Sequence, residues 1–134
     1  MKLNHKECLL IEDLPIDQEI IKYKMASSFP NIKVIKVNNG EDALHFLQKR
    51  LDTGQAIPFL LLVDINMPMI NGFEFLEACI KMGFTKTERP KIAIITSSIH
   101  PADSRKARYY NIVDEFFIKP LDMDRLERMM LFAF

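Results

Sequence analysis

Side chains capable of chemistry stand directly after short apolar runs at several points of this sequence. In chain order they are Glu12 and Asp13, Asp64, Thr96 with Ser97 and Ser98, and Lys119. Three carboxylates that lie close together repel one another unless a cation joins them, and oxygen ligands of this kind suit Mg²⁺. An ammonium and a hydroxyl beside the metal could then neutralise and hydrogen-bond the oxygens of a phosphoryl group. A carboxylate in such a site can itself be the nucleophile, which would give an acyl phosphate.

Asp64 is the best candidate for that nucleophile because of the run that precedes it. Five apolar residues follow Pro58 and stop at Asp64, and Pro68 then prevents further ladder hydrogen bonding. A short continuous apolar run is typical of a strand whose two faces are both covered by helices. We therefore expect Asp64 at the carboxyl end of a central strand, the edge where open α/β sheets place their chemistry.

Strand-like and helix-like segments alternate along the chain. The predicted strands cover residues 8–11, 32–37, 59–63, 92–95 and 116–118. Helical periodicity follows each of them, and the fourth helix is expected over residues 101–110. In the first helix the spacing predicts a buried face of Ile16, Ile20, Ile21 and Met25, with Asp17, Gln18, Lys22 and Lys24 outward.

This alternation predicts a single doubly wound α/β domain, a flavodoxin-like (βα)5 parallel sheet over residues 1–134. The first, third and fourth strands are apolar on both faces and belong in the middle, whereas the second is more polar and belongs at an edge. The strand order 2-1-3-4-5 fits these constraints. All the strand-end side chains named above would then face one crevice.

The composition is typical of an ordinary globular domain and argues against several other classes of protein. The 134 residues are 49% hydrophobic and 27% charged, and the formal net charge is zero, which indicates no general attraction to nucleic acid or to a membrane surface. The sequence shows neither a signal-peptide pattern nor an apolar run of the roughly 20 residues that span a bilayer. We expect a cytoplasmic protein in which Cys8 and Cys79 are buried free thiols.

Each candidate residue also has a purely structural interpretation when it is taken alone. An aspartate such as Asp64 often turns or caps the chain after a strand, and Glu12 with Asp13 could form a solvated turn. The hydroxyl groups from Thr96 to Ser98 could cap the next helix, and Lys119 could be a surface lysine. Their arrangement at four strand ends favours the functional interpretation.

Four motifs at these strand ends together resemble those of the bacterial response-regulator receiver domain. They are the pair Glu12-Asp13, the segment Val-Asp-Ile-Asn-Met-Pro at 63–68, the step Thr96-Ser97, and the segment Phe-Phe-Ile-Lys-Pro at 116–120. The resemblance covers essentially the whole chain. It implies that Asp64 accepts a phosphoryl group from a histidine kinase or a phosphotransfer protein in a step that needs Mg²⁺, with Mn²⁺ as an alternative metal.

The resemblance also implies a ligand set for the metal. Asp13, Asp64 and the backbone carbonyl of Asn66 would ligate the cation, and Glu12 would assist directly or through water. The side chains of Asn66 and Ser98 stand at positions that tune the rate of dephosphorylation in the family.

A switch is implied beside this metal site. Thr96 would be the switch hydroxyl and Lys119 the ion partner of the phosphoryl group, and the bond before Pro120 is expected to be cis. Phe116 stands where the family has its switch aromatic, which is more commonly tyrosine. On phosphorylation Thr96 would move towards Asp64 and leave space that the Phe116 ring fills.

The expected function is therefore that of a signalling switch, not that of an enzyme with turnover beyond self-phosphorylation and autodephosphorylation. Because the sequence ends at Phe134, we expect no DNA-binding output domain, and output would pass through protein contacts of the face formed by residues 101–134. The apolar segment 129–134 could pack on the core or on a partner.

Three alternatives remain at this level. An aspartyl-phosphate phosphatase would need a second acid at Asn66, and a flavin-binding module would need a hydroxyl- and glycine-rich loop where Glu12-Asp13-Leu14-Pro15 stands. A degenerate receiver that acts as an interaction module without phosphorylation has the same fold. That alternative is the hardest to separate from the expected function, although every expected site residue is present.

Overall fold

Strands and helices alternate along the residues that the computed structural model describes, 1–97 and 100–131. The strands are β1 (Leu3–Ile11), β2 (Lys33–Val37), β3 (Ile57–Asp64), β4 (Lys91–Thr96) and β5 (Glu115–Ile118). The helices are α1 (Pro15–Ser28), α2 (Gly40–Asp52), α3 (Gly72–Met82), α4 (Pro101–Ala107) and α5 (Met123–Leu131). Two of the sequence-based expectations, for Ser98 and for the end of the apolar segment 129–134, lie outside the described residues.

The five strands form one parallel sheet in the order β2-β1-β3-β4-β5, which confirms the predicted flavodoxin-like topology. The register pairs Ile11 with Val63, Asp64 with Ile95 and Thr96 with Ile118. The carboxyl ends of β1, β3, β4 and β5 are therefore level with one another. Side chains that follow these strands must meet at this edge.

Alternate residues of the central strands build two apolar layers, one on each face of the sheet. Leu9 and Leu61 pack with residues of α2, α3 and α4, whereas Leu10 and Leu62 pack with residues of α1 and α5. All four leucines are completely buried. A strand covered on both faces needs apolar residues at successive positions, which is why these strands are continuous apolar runs.

The predicted buried face of α1 is wrong in part. Ile16 and Ile20 are 70% and 48% exposed, while Ile21, Met25 and the polar Gln18 are buried. Gln18 takes the inward position because its side-chain amide donates hydrogen bonds to the Glu12 carbonyl and to Asn38 Oδ1. Two hydrogen bonds offset the cost of burying this amide.

Two element boundaries differ from the expectation by three residues or more. Strand β1 begins at Leu3 instead of residue 8, and in this added part Glu7 is buried and forms an ion pair with Arg50 of α2. Helix α4 ends at Ala107 instead of residue 110. The first half of β1 contains polar residues, and hydrophobicity alone does not predict a strand there. The ion pair between Glu7 and Arg50, which allows Glu7 to be buried, cannot be inferred from a hydrophobic pattern.

Cys8 and Cys79 are free and buried, as predicted, and burial raises the pKa of both thiols. Among the helices of residues 1–97 and 100–131, none has the length and apolar character needed to cross a membrane.

Candidate functional site

The acidic cluster (Glu12, Asp13 and Asp64) lies at the carboxyl edge of the sheet. Glu12 and Asp13 follow β1, Asp64 ends β3, and one carboxylate oxygen from each lies within 4.8 Å of the others. Glu12 is completely buried, Asp64 is 4% exposed and Asp13 is half-buried. Clustered carboxylate oxygens are the ligands that Mg²⁺ and Mn²⁺ prefer, so the donor set fits such a cation.

Glu12 carries the most perturbed carboxyl group of this cluster. Burial, together with a hydrogen bond to Asp64 and the charge of Asp64, raises the pKa of Glu12 to about 8, although Lys119 opposes this rise. The backbone N–H of Asp13 donates to Glu12 Oε2 over 3.0 Å. Because two buried carboxylates disfavour each other's ionisation, Glu12 either holds a proton or needs positive charge beyond that of Lys119 beside it.

Lys119 supplies a positive charge to the same edge. Its Nζ atom contacts Glu12 Oε1, lies 2.8 Å from Asp17 Oδ2 and lies 3.4 Å from Asp64 Oδ2. Burial alone would lower the pKa of Lys119, but the hydrogen bonds to Asp17 and Glu12 and the charge of Asp64 outweigh it and raise the pKa. These contacts favour the charged form of the ammonium. The Lys119–Pro120 peptide bond is cis, the geometry that the resemblance implied.

Asn66 connects the end of β3 to the end of β4. Its backbone N–H donates to Asp64 Oδ1 over 3.0 Å, and its Nδ2 atom lies 3.4 Å from Thr96 Oγ1. Thr96 is completely buried, whereas Asn66 is exposed. The N–H bond fixes one oxygen of Asp64, and the other oxygen faces Lys119.

Phe116 lies apart from the acidic cluster, in β5. Its ring is half-buried and packs on the apolar layer that includes Ala107. It also lines a cavity of about 600 Å³ between α4 and α5, together with Pro101, Ser104 and Arg125. The ring of Phe116 thus has open space beside it.

Sequence reasoning missed two residues of this edge, Asp17 and Gln18. Both were expected to point outward from α1, yet Asp17 binds Lys119 and Gln18 holds the carbonyl of Glu12. An acid in the first turn of a helix is normally explained by the helix dipole, which hides any further role. The signal in the sequence is that Asp17 lies four residues after Asp13, in the first turn of the helix that leaves the site.

The fold and the site together define the class: a doubly wound α/β domain with an acidic, lysine-flanked crevice at the carboxyl edge of its sheet. The family model of the response regulator receiver domain matches residues 8–131, and this chain belongs to that family.

Curated proteins of similar sequence support this family membership. The probable methanogenesis regulatory protein FilR2 of Methanothrix harundinacea is 30% identical over 69% of this chain and 57% of its own length. The chain spans about half the length of the curated relatives that it matches first.

Solved structures show the same fold. A two-component response regulator from Cytophaga hutchinsonii has a TM-score of 0.81 and 25% identity, over 97% of this chain and 96% of that one. The Mn(2+)-bound form of response regulator Rcp1, a protein of Synechocystis sp., has a TM-score of 0.69 and 28% identity, over 92% of this chain and 88% of that one.

Proposed function

We propose that this receiver domain accepts a phosphoryl group on Asp64 and thereby switches a protein-interaction surface. The observation that carries the proposal is the position of Asp64: its carboxylate belongs to the acidic cluster and has the Lys119 ammonium 3.4 Å away. A nucleophilic carboxylate beside both a cation-binding cluster and a fixed ammonium is what phosphoryl transfer to an aspartate requires.

The transfer itself forms one bond and breaks one bond. An oxygen of the Asp64 carboxylate attacks phosphorus, and the bond from phosphorus to the imidazole nitrogen of a phosphohistidine donor breaks. The electron pair stays on that nitrogen, and the product on Asp64 is an acyl phosphate. Water later attacks phosphorus and regenerates the carboxylate with inorganic phosphate. The chain is a phosphoacceptor in this scheme, with no turnover beyond self-phosphorylation from small donors and autodephosphorylation.

The acidic cluster would hold Mg²⁺ or Mn²⁺, with the backbone carbonyl of Asn66 as a further ligand. The metal, when bound, neutralises negative charge on the transferring phosphoryl oxygens. The Lys119 ammonium pairs with one of these oxygens, and the Thr96 hydroxyl, now 3.4 Å from Asn66 Nδ2, turns to donate to another. Glu12 assists the metal directly or through water.

The output of the switch is a change around Phe116. When Thr96 moves towards the phosphoryl group it leaves space on the far side, which the Phe116 ring fills from its half-buried position beside the cavity. The face formed by α4, β5 and α5 then changes shape and binds its target protein. The donor is a histidine kinase or a phosphotransfer protein in the cytoplasm, and neither nucleic acid nor a membrane takes part.

Intact-protein mass after incubation with acetyl phosphate tests the proposal. We expect a gain of one phosphoryl group that depends on Mg²⁺, that disappears in Asp64→Asn and that persists in Asp52→Asn. Asp52 is an exposed aspartate at the end of α2 and serves as the matched control. An unmodified wild-type chain that also binds no beryllofluoride would contradict the proposal, and so would equal labelling of wild type and Asp64→Asn.

A further inference from the structure

The ammonium of Lys119 is shared among three carboxylates, of which one does not belong to the acidic cluster. Asp17 Oδ2 lies 2.8 Å from Nζ, nearer than Asp64 Oδ2 at 3.4 Å. The side chains of Asp17 and Lys119 are only 22% and 14% exposed. A charge-assisted hydrogen bond of this length, largely removed from water, is stronger than a surface ion pair.

Asp17 and the acidic cluster differ in what happens to them when the site is loaded. The oxygens of Glu12 and Asp64 would also serve as metal ligands, whereas Asp17 is not among the groups that could share one cation in the described structure. Asp17 therefore keeps its hold on Lys119 after the cluster has been neutralised. A phosphoryl group on Asp64 must compete with Asp17 for the same ammonium.

We propose that Asp17 is a positioning residue that restrains Lys119 on the α1 side of the site and so weakens the phosphorylated state. The inference rests on the proposed function, because it assigns a role towards the phosphoryl group on Asp64. Asp17 lies in the first turn of α1 and lines a small cavity of about 230 Å³ with Lys119, Pro120 and Leu121. The position of α1 thus controls how far the ammonium can reach.

Beryllofluoride, which mimics a phosphoryl group on an aspartate, gives an equilibrium measurement of this competition. The probe is titrated by calorimetry in the presence of Mg²⁺ into wild type, Asp17→Asn and Glu19→Gln. Glu19 is the matched control because it changes the charge of α1 equally, but its carboxylate is exposed and pairs with Lys36 at 2.7 Å. We expect Asp17→Asn to bind about fivefold more tightly than wild type, and Glu19→Gln to bind like wild type.

A second pair of variants shows whether the effect passes through Lys119. If Asp17 acts by holding the ammonium, the double variant with Asp17→Asn and Lys119→Gln binds no better than Lys119→Gln alone. If Asp17 had a merely structural role, the effect of Asp17→Asn on beryllofluoride affinity would remain in the Lys119→Gln background. Binding by the double variant that exceeds that of Lys119→Gln would overturn the inference.

The remaining outcomes separate the two proposals. Wild-type binding that requires Asp64, combined with unchanged or weaker binding by Asp17→Asn, overturns this inference alone and leaves the proposed function standing. Equal gains in beryllofluoride affinity in Asp17→Asn and Glu19→Gln also overturn it, because such gains would reflect the net charge of α1. Absence of binding and of acetyl phosphate labelling in wild type overturns the proposed function and this inference with it.

Discussion

The backbone N–H of Lys119 donates a hydrogen bond to the carbonyl oxygen of Thr96 over 2.8 Å. The residue that follows β5 is thereby tied to the residue that ends β4. Thr96 is also tied to β3, since Asn66 Nδ2 lies 3.4 Å from its hydroxyl oxygen. Three strand ends meet at Thr96, so a shift of this residue towards Asp64 acts directly on β5 and on Phe116 within it.

Thr96→Ala is expected to separate phosphoryl acceptance from switching. The variant keeps Asp64 and Lys119 and should still bind beryllofluoride, but it lacks the hydroxyl whose proposed movement would make room for Phe116. NMR of a chain labelled on its phenylalanine rings measures this, and we expect the Phe116 signal to shift on binding in wild type. We expect no such shift in Thr96→Ala and a normal shift in Thr96→Ser, which retains the hydroxyl. A full shift in Thr96→Ala would show that another group drives the ring.

The pH dependence of stability without metal should report on Glu12. Its pKa is about 8 in the folded chain against an ordinary value of 4.5, so the folded state holds a proton that the unfolded state releases. The contribution of Glu12 to stability is therefore fully present below pH 4.5 and is lost as the pH rises through about 8.

Urea unfolding in the presence of a chelator measures this loss. Between about pH 5 and pH 8 the free energy of unfolding should fall more steeply in wild type than in Glu12→Gln, which has no carboxyl group to ionise at this position. Parallel pH profiles for the two proteins would show that Glu12 ionises normally in the fold.

The ion pair between Arg89 and Asp114 should be a main support of the β4–β5 end opposite the site. The two side chains are 3% and 14% exposed, and Asp114 accepts two hydrogen bonds from Arg89 and one from the backbone N–H of Ile92. Asp114→Asn removes the carboxylate that faces this buried guanidinium and should lower the free energy of unfolding by about 3 kcal/mol.

The neighbouring residue offers a control for this ion pair. Glu115 pairs with Arg125 at 2.8 Å, but these side chains are 36% and 40% exposed. Glu115→Gln should therefore cost less than about 1 kcal/mol in the same urea titration. Equal losses in Asp114→Asn and Glu115→Gln would mean that burial does not set the strength of these pairs.

Gly72, at the start of α3, should tolerate no side chain because it lies against the acceptor segment. An added Cβ atom would stand 2.9 Å from the carbonyl oxygen of Asp64 and 2.9 Å from the Cα atom of Ile65. Gly72→Ala must push this backbone aside, so we expect a loss of about 2 kcal/mol in stability and slower labelling by acetyl phosphate.

Gly40→Ala is the matched control, because there the atoms nearest to the added Cβ atom belong to the side chains of Ile70 and Met67, which can move. It should destabilise the chain less and leave the labelling rate unchanged. Urea unfolding and intact mass measure the two effects, and equal damage by both substitutions would refute the argument from backbone contact.

Much of the fold follows from features that the sequence displays directly. The runs around Leu9, Leu61 and Ile94 are apolar at successive positions because both faces of a central parallel strand are covered, and this predicted their central place in the sheet. The same reasoning predicted that Glu12, Asp13 and Asp64 lie at one edge of the sheet, since the carboxyl ends of parallel strands lie at the same edge.

What the sequence concealed depends on pairings between distant residues. Gln18 is buried because the Glu12 carbonyl and Asn38 satisfy its amide, and Glu7 is buried because Arg50 reaches it from α2. Asp17 is drawn to Lys119, 102 residues away. Hydrophobic periodicity assigns polar residues to the surface, so it fails wherever a polar residue has a partner that is distant in sequence.

The central claim is that Asp64 carries the phosphoryl group, and chemical trapping of the acyl phosphate tests it most directly. The wild-type chain is incubated with acetyl phosphate and Mg²⁺ and reduced with borohydride, which converts an aspartyl phosphate into homoserine. Peptide mass spectrometry should then find homoserine at position 64, only in samples that received both acetyl phosphate and Mg²⁺. Homoserine at Asp13 or at another aspartate, with position 64 unchanged, would contradict the account.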